Sequence, residues 1–471
     1  MWDAVSRSAA SDVGISRDII SSVDDLSLVH CQSWAYDQPG ERFAEQLGLG
    51  GLHCNESILA GTSPQRLIDA AAGRMLRGES NVALVVGGEA FNTLKLHRQV
   101  GEAPPWSHPH PDPPALPVDL DEWYLPTEIA HGVLPAWLTF ALLEQARWAG
   151  RGGRSEDRAQ LGSIMQRLND VATQNPGAWF GDRLTAAQIT TPSSGNRMIT
   201  TPYTKRMTAF MDVDMAAANL LVTRATADEW GVPDERRVYL RGWGFARDSV
   251  HLGARDDLTS SAAMRAATGE ALRMAGLTTD EITTFDLYSC FGAAVQFAQD
   301  ALGLSPDDPR PISVTGGLPY HGGPSSNYMG HSISHLADHL RADPSRVGLA
   351  TGVGMHMTKH VAGVWSATPG PVQLPDHDDG AQRWAGPSDS TEVQVVDRAD
   401  GPATIRAATV IHSADGVPDH AVAICELPDG TRCYTRSTDA DTLKAVGADE
   451  WVGASVTVFP QDQTNDFRLA G

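Results

Sequence analysis

Basic residues are in short supply. Lys and Arg number 36 against 58 Asp and Glu, a formal charge of -22. No basic field offsets that repulsion, so general binding to nucleic acid or to an anionic membrane surface is excluded; a local cationic pocket for a phosphorylated ligand is not. Cysteine is also sparse: Cys31, Cys54, Cys290, Cys425 and Cys433 are scattered, odd in number and without a CxxC pair. That argues against a disulfide framework and for a reducing compartment, with the cytoplasm as the expected location. No apolar run is long enough to span a bilayer, and no signal-peptide pattern opens the chain. Gly87-Gly88 ends an apolar run but lacks G-x-G-x-x-G spacing, which disfavours a dinucleotide.

What is present is alternating helix and strand. Trp2, Val5, Ala9 and Val13 recur at helical spacing, Asp24–His30 reads as a strand, Pro64–Arg77 as a helix and Asn81–Val86 as a buried strand. Residues 92–200 break the alternation with a Pro-rich stretch from Pro104 to Pro117 and helices near 136–149 and 157–174, and read as an insertion lying over a ligand site. The spacing then predicts a helix over Asp212–Ala225, a strand over Arg236–Leu240 and a helix over Ser260–Met274. Next come a strand over Ile282–Leu287, a helix over Phe291–Ala301 and a strand over Pro311–Val314. A helix over Asn327–Leu340 and a strand over Val347–Thr351 complete this part. With 471 residues the chain has room for two or three domains. The segment from Trp2 to Leu28 parallels that from Ala263 to Leu287, but only the second copy has a strand before its helix. A buried parallel sheet tolerates a missing strand poorly, so the expectation is that the sequence begins downstream of its true start. Pro369–Ser390 reads as a linker. Beyond it, short period-two segments with a turn at Glu426–Gly430 suit a small OB-like β-barrel.

Thr315–His331 is the most shaped stretch. Gly316-Gly317 and Gly322-Gly323 punctuate it, and such loops at strand ends commonly bind ligands. With Ala70–Gly78, Val82–Glu89, Asn175–Trp179, Asn196-Arg197 and Thr201–Lys205, it makes residues 1–365 resemble the thiolase superfamily, nearest to the sterol-carrier type. The tail resembles the additional domain of actinobacterial thiolase-like proteins. The resemblance implies a duplicated α/β core in five layers (αβαβα). Its halves would be 1–250, carrying the insertion 92–200, and 251–368, with a small OB-like β domain at 391–471. It also implies acyltransferase chemistry of lipid metabolism on acyl-CoA, with coenzyme A or acyl-CoA as ligand and nothing tightly bound.

The motifs depart from that pattern where the chemistry should be. The family's nucleophilic cysteine falls on Gly61 and its Gly-His-Pro base on Gly322-Gly323-Pro324. The sterol-carrier His-Asp-Cys-Phe falls on Tyr288-Ser-Cys-Phe291, and the late cysteine near Ala350 or Thr351. The standard reaction through a cysteine thioester is therefore not expected. Whether another acyltransferase activity survives is open. The remaining catalytic candidates are Cys290, His321 and His331, with a buried structural cysteine as the plainer reading of Cys290. Pocket lining is expected from Gly61, Tyr288, Gly316, Gly317, Gly322, Gly323, Asn327, Gly352, Gly354 and His356, and phosphate contacts from Arg197 and Lys205. Glu128 and His131 read as a contact that fixes the insertion rather than as an acid–base pair. No metal site is expected from His331, His335 and His339. The alternative function is a non-enzymatic partner subunit whose β-barrel docks another protein, as monomer or homodimer.

Overall fold

A computed structural model describes all residues except 115–119, 154, 373–391, 449–450 and 470–471. Most of the expected linker and the end of the Pro-rich stretch thus lie outside the described residues.

The first half opens on helix α1 (Trp2–Asp12), followed by β1 (Asp25–Leu28) and β2 (His53–Glu56). Helix α2 (Ser63–Leu76) has Pro64 in its first turn, where a missing N–H costs nothing, and Arg74 in its last. Arg74 forms a two-pronged ion pair with the buried Asp25, tying α2 to β1. Strand β3 (Val82–Ala90) comes next. The insertion then supplies helices α3 (Ala136–Gly150) and α4 (Ser155–Ala172), and a hairpin of β4 (Met198–Thr200) and β5 (Tyr203–Thr204). The chain returns as β6 (Asp214–Val222), not as the helix expected there: it runs antiparallel to β3 from Val82–Val222 to Ala90–Asp214. Met-Ala-Ala-Ala-Asn-Leu-Leu satisfies helical spacing and propensity as well as strand burial, and pairing with β3 decides between them. The sheet order is β2-β1-β3-β6.

The second half repeats this with β7 (Tyr239–Arg247), α5 (Ala262–Ala275), β8 (Thr284–Asp286) and α6 (Gly292–Leu302). It ends with α7 (Tyr328–Ala342), β9 (Val347–Gly354) and β10 (Lys359–Ser366), in sheet order β7-β10-β9-β8. Helix α5 is well delimited: the Ser261 hydroxyl accepts from Met264 N, and Gly276 ends it at φ 65. Residues 311–314 form no regular strand, although Pro311 O and Ile312 O accept from Phe285 N and Leu287 N beside β8. Strand β10 was not among the expected elements; both its edges are paired. Helices α2 and α7 lie between the two sheets, with α1 outside the first and α5 and α6 outside the second. This is the expected five-layer arrangement.

The tail forms β11 (Gly401–His412), β12 (Pro418–Glu426), β13 (Arg432–Ser437), helix α8 (Ala440–Ala448), β14 (Ser455–Gln461) and β15 (Thr464–Leu469). Its antiparallel order is β13-β12-β11-β14-β15, and the sheet continues into the insertion through β11–β4. Asn465 Nδ2 donates to Tyr434 O, so the first and last strands of the order meet and the sheet curls toward a barrel.

Candidate functional site

The glycine loop lies where β8, α6 and α7 converge, and one carboxylate organises it. Asp286, fully buried at the end of β8, accepts from Val314 N at 2.9 Å, Ser313 Oγ at 3.0 Å, Ser332 Oγ at 2.9 Å and Tyr328 Oη at 3.2 Å. Sequence reasoning passed over Asp286. An acid inside the apolar run Phe285-Asp-Leu287 was its only signal, because a buried carboxylate must be supplied with donors.

The glycines of the loop answer to packing. A methyl on Gly316, at φ +105, would lie 2.5 Å from Ala172 Cβ of α4, and one on Gly317 2.6 Å from Ser289 Oγ. Helix α4 of the insertion therefore rests directly on the loop, as expected of a segment covering the site.

The corner where the resemblance would place a nucleophile is full. Gly61 packs against Tyr288, and any Cβ at position 61 would overlap both the Tyr288 hydroxyl and Val353 O. Tyr288 is buried, stacked edge-on against Tyr328 with centroids 5.5 Å apart, and its backbone N–H donates to Thr351 Oγ1 at 2.9 Å. Gly352 and Gly354 close the same corner: Gly352 faces Met329 and Gly61 O, and Gly354 faces Ala60. The corner where the resemblance would place the base is different. A Cβ on Gly323 would find its nearest atoms, Leu318 Cδ2 and Phe210 O, at 3.4 Å, an ordinary contact. Gly322, at φ +115, lies beside Val213 and Met215. Asn327 Oδ1 sits against Gly87 and Gly330, so the Gly87-Gly88 pair serves close approach of α7 and β6 rather than a phosphate.

Of the three catalytic candidates, the two histidines meet. The His321 and His331 rings lie 5.4 Å apart, and His335 lies 5.3 Å from His321. Asn175 Nδ2 donates to His321 Nδ1 at 3.2 Å, which puts the proton on Nε2. Nε2 of His321, Nε2 of His331, Nδ2 of Asn327 and Oη of Tyr320 are buried without a hydrogen-bond partner among the described residues. Burial first, then the neighbouring imidazoles, push His321 down to about 2 and His331 to about 3, so both are neutral at ordinary pH. Among the described residues, no group of His, Cys, Asp and Glu has a metal-ligand arrangement. Cys290 precedes α6 at its N-terminal end, but desolvation outweighs that position and its thiol is pushed up, opposite to an activated nucleophile.

Two expected site residues make their contacts elsewhere, and a third lies beside one of them. His356 is held between Tyr124 Oη at 2.7 Å and Thr139 Oγ1 at 2.8 Å, and Arg255 donates to its carbonyl at 2.6 Å. Arg197 reaches Met198 O and Ser413 O, joining the β4–β5 hairpin to the tail. Lys205 lies just after β5 on the same hairpin. Glu128 and His131 do fix the insertion, but to the tail: Tyr434 Oη donates to Glu128 Oε1 at 2.7 Å, and Asn465 N donates to His131 Nε2 at 2.9 Å.

The fold matches the crystal structure of a monomeric SCP2-thiolase-like protein type 1 from Mycobacterium smegmatis. The TM-score is 0.84 and the identity 29%, over 100% of this chain and 95% of that one. This chain is a member of the thiolase-like superfamily. No family model matches the sequence, and no curated protein does. No helix among the described residues is long and apolar enough to cross a membrane.

Proposed function

We propose that this thiolase-like protein binds an acyl-CoA or related thioester and does not take the acyl group onto a cysteine. The observation that carries this is the overlap any side chain at position 61 would have with Tyr288 and Val353 O. An acyl-enzyme needs a thiolate there, and neither the space nor the residue exists. Cys290 offers no substitute while burial holds it protonated.

Binding is supported by the thiolase-like frame and by the unpartnered polar atoms around the loop. His321 Nε2 and Asn327 Nδ2 are donors, and a thioester carbonyl takes such donors. Any surviving acyltransfer would have to run without the covalent intermediate. The partner-subunit reading fares less well, because the tail spends its polar groups on its own body. Besides Tyr434 and Asn465, Arg432 donates to the carbonyls of Gly253, Arg255 and Asp256. The protein is accordingly proposed to be a monomer, like its structural neighbour.

Calorimetric titration with coenzyme A and with short and long acyl-CoAs tests the reading. Saturable one-to-one binding, strengthened by the acyl group, is expected. No saturable binding to the folded protein would remove it.

A further inference from the structure

The tail does not close flush against the insertion. Between them lies a cleft of about 650 Å³, and none of the residues lining it belongs to the glycine loop or to the Gly61 corner. Its floor is apolar: Trp148 of α3, Leu161 of α4, Met198 of β4, Val410 of β11 and Leu443 of α8. Trp148, Leu161 and Val410 are no more than 2% exposed, so the floor is continuous with the core and only the rim meets solvent. The seam beside it is fixed by hydrogen bonds. Thr201 N donates to Val410 O at 2.9 Å, and Thr409 Oγ1 donates to Thr201 O at 2.6 Å. The walls therefore cannot simply slide together to fill the space.

Polar groups adjoin that floor. Lys444 follows Leu443 on α8, is exposed and lines the cleft. It forms no ion pair among the described residues, in a chain whose acids outnumber its bases 58 to 36. His412 lies two residues beyond Val410 on β11, and its Nδ1 is buried without a hydrogen-bond partner among the described residues. Burial holds His412 below the ordinary imidazole range, so Lys444 supplies the charge and His412 a neutral polar contact. Apolar surface beside an unpaired ammonium and an unused ring nitrogen suits a ligand with an apolar body and one anionic end. A single ammonium balances a single charge. A dianionic phosphate would leave excess negative charge in an already acidic chain.

We propose that this cleft is a second ligand site, independent of the glycine loop, and that it takes an amphipathic carboxylate: an apolar chain over the floor with its carboxylate on Lys444 and His412. Its walls come from the insertion and the tail, so the bound ligand also ties the two together.

Calorimetric titration of the full chain with octanoate, and with 1-octanol as the neutral counterpart, tests this. Octanoate is expected to bind one to one and about tenfold more tightly than 1-octanol. Saturating acetyl-CoA should leave that affinity unchanged. Lys444→Met should weaken octanoate about tenfold and 1-octanol by less than about twofold. Ala159 lines the cleft from an exposed position on α4, so Ala159→Trp obstructs it without disturbing the core. That variant should lose binding at a nearly unchanged thermal midpoint. Equal affinity for the two probes, or equal weakening of both by Lys444→Met, would overturn the carboxylate assignment. Absence of saturable binding, undiminished binding in Ala159→Trp, or displacement by acetyl-CoA would overturn the site, the last by returning the ligand to the glycine loop.

Discussion

Positions 61 and 323 are both glycine where the thiolase resemblance would place a catalytic side chain, yet their surroundings differ. At Gly61 the vacated volume has been taken by Tyr288, held by Thr351 and Tyr328. At Gly323 the neighbours stand back at 3.4 Å. A missing side chain whose space is refilled by a packed, buried aromatic is built into the fold; one whose space remains is a removed group and nothing more. Under the proposed function, the absence of a nucleophile at Gly61 is therefore built into the packing, and the absence of a base at Gly323 is not.

The sharpest way to break that contrast is to put a side chain back at the full corner. Gly61→Cys should destabilise by about 3 kcal/mol, at the upper end of overpacking costs. In a double-mutant cycle with Tyr288→Ala, the pair should lose about 2 kcal/mol less than the sum of the single changes, by urea denaturation. Strict additivity would mean that Tyr288 does not occupy the site.

The second prediction concerns the buried imidazoles His331 and His356. Their folded pKa values lie below the unfolded value near 6.5, so as pH falls through 6.5 the unfolded chain takes up protons that the folded one refuses. Stability is therefore full above about pH 6.5 and lost on acidification toward the folded values, about 3 for His331 and about 4 for His356. Each buried imidazole contributes at most about 1.4 kcal/mol per pH unit within that window. Thermal midpoints from pH 7 to pH 4.5 should decline steeply, and less so in His331→Asn. An equal slope in the variant would show that His331 titrates normally and remains available as a base.

Much of this was legible in advance. The alternating helices and strands, the duplication and the insertion over the loop follow from periodicity and glycine placement, the five layers follow from the thiolase resemblance, and Gly61 and Gly323 stood out by counting along its motifs. What was not legible depended on partners distant in sequence. Strand β6 reads as a helix until β3 is laid beside it. The roles of Glu128 and His131 needed Tyr434 and Asn465, more than 300 residues away. That Tyr288 fills the space at Gly61 needed two segments separated by more than 200 residues to be brought together.

A third prediction asks whether the tail belongs to the same rigid frame. Tyr434→Phe leaves Glu128 Oε1 and Gly253 N without their shared partner and should cost about 2 kcal/mol, in the usual range for a buried polar group left unpaired. One cooperative transition should persist in calorimetry. A separate, earlier tail transition would detach the tail from the account. The smallest effect is expected at the open corner: Gly323→Ala should change stability by less than about 1 kcal/mol, because its neighbours already stand at contact distance.

The central claim is that the thiolase frame here holds a thioester without accepting its acyl group. Intact-mass spectrometry of the protein quenched during incubation with saturating acetyl-CoA, at a concentration where calorimetry registers binding, meets it most directly. The account predicts an unmodified polypeptide at every time point. Stoichiometric transient acetylation, mapped to Cys290 or to any residue in the Gly61 corner, would contradict it.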